Sequence, residues 1–115
     1  MKITLTRSKF FELYQQVLAW STVIHTKKNV DPSFVYAIHR NRQLLQDSAE
    51  AIDKTMRAIR NNDSRSYEDS MKVCKEFSNI AEDFTVYEIV ASTIPADEFD
   101  AIEEQLRPLI LKGVL

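Results

Sequence analysis

Few side chains in this sequence are equipped for chemistry. There is one thiol, Cys74, and there are two imidazoles, His25 and His39. A nucleophilic cysteine needs a base and an orienting group converging on it in a pocket. Cys74 lies three residues from both Met71 and Phe77, on the inward side of an expected helix. A free thiol in that setting behaves as a small hydrophobe. One cysteine also excludes an internal disulfide and a thiolate zinc cluster. The two histidines do not form a His-x-x-x-His pair, so zinc is not expected. His25 falls at a helix end, where the dipole favours a cation. His39 follows the inward-facing Ile38 and is expected to point outward. With a single glycine in the chain, a glycine-rich phosphate loop is excluded. The expectation is a protein that is not an enzyme, with no catalytic residue, no metal and no cofactor.

Charged clusters are the next candidates. The run Asp97-Glu98-Phe99-Asp100-Ala101-Ile102-Glu103-Glu104 is acidic. Its acids interleave with a helical apolar stripe and enclose no central glycine, so it is not a calcium loop. It reads as a solvated helix face, and Asp97, Asp100, Glu103 and Glu104 could dock a basic partner. The densest basic spot is His39-Arg40-Asn41-Arg42, with Lys27 and Lys28 nearby. Lys27, Lys28, Arg40 and Arg42 could hold phosphate. This is the alternative reading, a nucleic-acid or nucleotide-binding protein. It is not favoured, because no aromatic platform and no helix-turn-helix spacing accompany the cluster.

Charge divides the chain. Residues 1–60 hold ten basic and five acidic residues, and residues 61–115 hold five basic and twelve acidic ones. A net of +5 facing a net of −7 favours packing of the two halves on each other, or head-to-tail association.

The elements that would position these groups are mostly helices. Lys2–Leu5 alternates polar and apolar residues and suits a short strand. A first helix starts after Thr6 or Ser8, with Phe10, Leu13, Val17, Trp20 and Ile24 at spacings of three and four. Residues 25–29 read as a polar loop. Asp31-Pro32 opens a helix of about 29 residues, ending at Arg60 or Asn61. Ile38, Leu45, Ile52 and Ile59 recur along it every seven residues. That spacing marks helix pairing, within one chain or between copies. The second seam position is polar or small (Asn41, Ser48, Thr55), so a helical hairpin is preferred to a free coiled coil. Asn41 falls on the inner side, where a buried amide must be hydrogen-bonded. A role in pinning a neighbouring backbone or helix outweighs ligand binding.

Residues 61–65 form a turn, and Ser66 to Asp69 resembles a capping box. A third helix carries Met71, Cys74 and Phe77 and is expected to reach about Asp83. Phe84–Ala91 is β-branched and aromatic and suits a strand, able to pair with Lys2–Leu5. Ile94-Pro95 then starts a last helix, with Phe99, Ile102, Leu106 and Ile110 on its buried face. Pro108 ends or bends it near Leu106 or Arg107.

The 115 residues, 44% hydrophobic and 28% charged, describe one globular helical domain over 1–115. No apolar run is long enough to span a membrane. The opening Met1–Leu5 lacks the apolar core of a secretion signal. A cytoplasmic protein is expected.

The order of these pieces resembles a family of short uncharacterised proteins of tailed bacteriophages and prophages. The matching stretches are Met1–Leu5, Val35-Tyr36-Ala37-Ile38-His39-Arg40-Asn41, Val86-Tyr87-Glu88-Ile89 and Phe99 to Leu106. Pro108 and the longer first helix depart from the pattern. The resemblance implies a viral accessory protein of the host cytoplasm and transfers no catalytic residue.

The expected fold is therefore mainly α: about four helices, a central antiparallel hairpin and a small ribbon of residues 2–5 with 84–91. The expected function is protein interaction or assembly by helix-face docking, on itself as a homo-oligomer or on a viral or host protein. Inhibition of a host defence protein is one form of it. The docking face is either the Ile38/Leu45/Ile52/Ile59 ridge or the acidic last helix. The competing view, which is favoured for the ridge, makes it the domain's own core.

Overall fold

Thr6 ends a strand and caps a helix. Its hydroxyl accepts from the Lys9 N–H at 3.2 Å, while its backbone is still extended. The strand is β1 (Lys2–Thr6) and the helix is α1 (Arg7–Val23). The computed structural model describes residues 1–111 of the chain. A 3-10 turn at Ile24–Thr26 follows α1, and Asn29 sits at φ 60, a left-handed conformation that asparagine tolerates. Asp31 then caps α2 (Pro32–Arg60), accepting from the Ser33 N–H at 2.8 Å. The Asx turn at Asn62 leads to Ser66, which caps α3 (Tyr67–Ser78) by accepting from Asp69 N–H at 3.1 Å. The remaining elements are β2 (Ala81–Thr85), β3 (Ile89–Val90), α4 (Phe99–Leu106) and β4 (Ile110–Leu111).

The fold is mainly α, with the expected four helices and a two-stranded antiparallel ribbon. The ribbon differs from the expected one in extent. β1 pairs with β2 from Lys2 opposite Thr85 to Thr6 opposite Ala81. The strand thus begins three residues before Phe84, and α3 stops at Ser78 rather than near Asp83. Side-chain composition argued for helix through Glu82 and Asp83, but cross-strand partners override it. The Arg7 guanidinium binds Glu82 at 2.8 Å, and the Thr4 hydroxyl donates to Asp83. The Arg7 N–H also takes the Ile80 carbonyl at 3.0 Å, which turns the chain after α3.

The expected strand 84–91 is split. Its second part, β3, pairs in parallel with β4, Ile89 opposite Ile110. Ile110 is buried as expected, but on a strand instead of on the last helix. α4 is shorter at its start too: Asp97 and Glu98 lie in a 3-10 turn before it. It ends at Leu106, where Pro108 in the next 3-10 turn forbids continuation.

One core joins these pieces. Phe10, Val17, Phe34, Ile38, Leu45, Ile89, Ile102, Leu106 and Leu109 are all fully enclosed. Phe10 of α1 stacks on Phe84 of β2 with centroids 3.7 Å apart. Trp20 is only half-buried, and its indole N–H donates to Gln105 of α4 at 2.8 Å.

The core does not fill the whole length of α2. A 29-residue helix is about 43 Å long, and the molecule measures 54 × 31 × 22 Å. Its radius of gyration is 16.5 Å, against about 13 Å for a compact domain of this size. The last buried residue of α2 is Ile52. Beyond it, the end of α2 and the start of α3 folded back on it form an arm, while Met56 and Phe77 at its base still pack against the core.

Candidate functional site

The seven-residue ridge meets two environments. Ile38, Leu45 and Ile52 are buried in the domain's own core, and Ile59 lies on the arm, half-buried. Three of the four ridge residues are therefore structural, and the ridge continues off the end of the core at its fourth.

The arm carries part of the exposed apolar surface, and Met1, Val23, Tyr36, Ile80, Tyr87 and Val90 are exposed off α3. Tyr67 is 79% exposed and Met71 46% exposed, and both lie on one face of α3. Met71 was expected to share the inward stripe with Cys74. Instead it borders an open cleft of about 540 Å³ between α2 and α3, together with Met56, Lys72, Cys74, Lys75 and Ser78. Cys74 itself is buried, with its sulfur 3.9 Å from the Met56 carbonyl oxygen. A second cleft, of about 320 Å³, lies beside Met56 and Ser78, lined also by Phe11, Ile52, Asp53 and Arg60. The exposed Tyr67 had a readable signal, four residues before Met71 on the same helix face.

The basic candidates do not form one open patch. Lys27 is ion-paired with Glu98 of the 3-10 turn before α4, and both side chains are about a quarter exposed. The other Glu98 oxygen, Oε2, is buried and has no hydrogen-bond partner among the described residues. Lys28 lines a cleft with Asn29, Pro95 and Asp97. Arg42 reaches back to α1, its Nη1 donating to Ser21 Oγ at 3.2 Å. Arg40 is exposed on α2.

The acidic candidates are likewise distributed. Asp97 faces the lysine loop, Glu104 lines a cleft with Lys9 and Gln105, and Asp100 is exposed. Glu103 is half-buried. The charge split along the sequence thus closes on itself at two ion pairs, Arg7–Glu82 and Lys27–Glu98.

Comparison with known proteins brings up no family model, no curated protein and no solved structure that matches this chain.

The histidines come together without any local signal for it. The rings of His25 and His39 stack with centroids 5.2 Å apart, and His39 is half-buried beneath His25. Among the described residues no group of three His, Cys, Asp or Glu side chains converges as a metal site. No described helix is long and apolar enough to cross a membrane. Asn41 lies in the core, where its amide bonds the backbone of Tyr87 between β2 and β3. Its position on the inner face of α2 had pointed to such a partner.

Proposed function

We propose that this chain is a non-enzymatic interaction module that associates with itself through the α2–α3 arm. The observation that carries this reading is the arm: the helical hairpin extends past the core, and among the described residues no element covers its cleft or its exposed Tyr67 and Met71. A domain that only needed a core would end α2 near Met56, which still packs on the core. Extending both helices and leaving apolar side chains at their end favours a docking surface. The resemblance to phage proteins supports a viral accessory role in the host cytoplasm. The same arm would serve an assembly factor or an inhibitor of a host protein.

Phosphate binding through Lys27, Lys28, Arg40 and Arg42 is less well supported, because Lys27 and Arg42 already hold internal partners. The test is sedimentation of the full chain beside Met71→Asp. Wild-type protein is expected to show a mass above one chain that falls to one chain in the variant. Equal masses for the two would remove the arm from the account.

A further inference from the structure

α3 carries opposite charges at its two ends, on the face that holds the exposed apolar residues. Glu68 lies in the first turn and Lys75 in the last, seven residues apart. Seven residues make almost two turns, so both share the face of Met71. Among the described residues neither makes an ion pair. Tyr67 stands beside Glu68, and the cleft floored by Met56 and Cys74 opens beside Lys75.

We propose that α3 of one copy lies antiparallel on α3 of a second copy, about a two-fold axis beside Met71. The proposal rests on the self-association argued above and specifies its geometry. Glu68 and Lys75 are about 10 Å apart along the helix, and the midpoint between them falls next to Met71. A two-fold axis there sets Glu68 of each copy opposite Lys75 of the other, and an isologous contact forms both pairs at once. It also carries Tyr67 of each copy over the other's cleft, between Lys75 and Ser78. Tyrosine suits that place, with a ring for the apolar floor and a hydroxyl for the wet rim.

The parallel arrangement sets Glu68 on Glu68 and Lys75 on Lys75, so the same residues disfavour it. Antiparallel docking also opposes the two helix dipoles favourably. The contact is short, since twelve residues of helix span about 18 Å. Contacts of this size belong to the transient class, so the dimer is concentration-dependent. It weakens with added salt, because its ion pairs lie at a wet rim.

The experiment is sedimentation equilibrium of full-length wild type, Glu68→Lys, Lys75→Glu and the double swap, with a melting curve of each to show that it folds. Wild type is expected to dimerise reversibly. Each single swap is expected to weaken the dimer by about tenfold, and the double swap to restore most of that loss. Tyr67→Ser changes no charge and serves as the second probe, expected to weaken the dimer by at least as much. A wild-type dimer that the double swap fails to rescue, or that Tyr67→Ser leaves unchanged, overturns this geometry and leaves self-association standing. A trimer or larger ring overturns it too. A wild type of one chain at every concentration overturns both this geometry and the proposed function.

Discussion

The Asn41 side chain pairs with both backbone groups of Tyr87. Its Nδ2 donates to the Tyr87 carbonyl at 2.8 Å, and the Tyr87 N–H donates to its Oδ1 at 2.8 Å. The same Nδ2 donates to the Ala37 carbonyl at 2.9 Å. The amide thus serves as a strand neighbour at the place where the chain leaves β2 and has not yet reached β3. A buried polar group needs such a partner, and here one helical side chain supplies it to the backbone of a distant segment.

Asn41→Leu is accordingly expected to destabilise the protein by about 2–4 kcal/mol, since it strands the Tyr87 donor and acceptor near the core. Urea unfolding measures it. A change within about 0.5 kcal/mol would show that water replaces the amide without cost.

The ridge along α2 offers a contrast between its two ends. Leu45→Ala removes enclosed volume and is expected to cost about 2–5 kcal/mol. Ile59→Ala, on the arm, is expected to cost well under half of that and to weaken self-association instead. Thermal melts and sedimentation of the two variants separate the roles. Equal losses of stability at both positions would extend the core into the arm.

A side-chain cap contributes to the stability of α3. Ser66→Ala loses the bond to the Asp69 N–H and is expected to cost about 1 kcal/mol. Amide hydrogen exchange should show faster exchange in the first turn of α3. Unchanged protection there would mean that α3 is held by its packing on α2 alone.

Lys27 and Glu98 join the two charge halves of the chain. A double-mutant cycle with Lys27→Met and Glu98→Gln is expected to give a coupling on the order of 1 kcal/mol, smaller at high salt. The single Lys27→Met change leaves Glu98 without a cation while its Oε2 is already unpartnered, so it should cost more than the double change. A coupling of zero would reduce the pair to a surface contact.

Much of this architecture was legible in the sequence. Asp31-Pro32 and the spacing of Ile38, Leu45, Ile52 and Ile59 set α2 to its full length, because cap chemistry and a long apolar period are local signals. Asn41 was legible as an inward amide for the same reason. The boundary between α3 and β2 was not, because Ala81, Glu82 and Asp83 take strand geometry only through Arg7 and Thr4 at the far end of the chain. The parallel pairing of Ile89 with Ile110 and the stacking of His25 on His39 are likewise tertiary events with no local signature. For the candidate site, the ridge was visible, but where the core ends along it was not. That limit depends on the lengths of all the elements packed beside α2.

Whether the arm joins copies of this chain is read from a native mass spectrum of the full-length protein at low salt. A species at twice the 13.3 kDa chain mass is expected, with no added mass and a share that grows with concentration. A single species at one chain mass throughout, or a chain carrying a nucleotide or oligonucleotide, would contradict it.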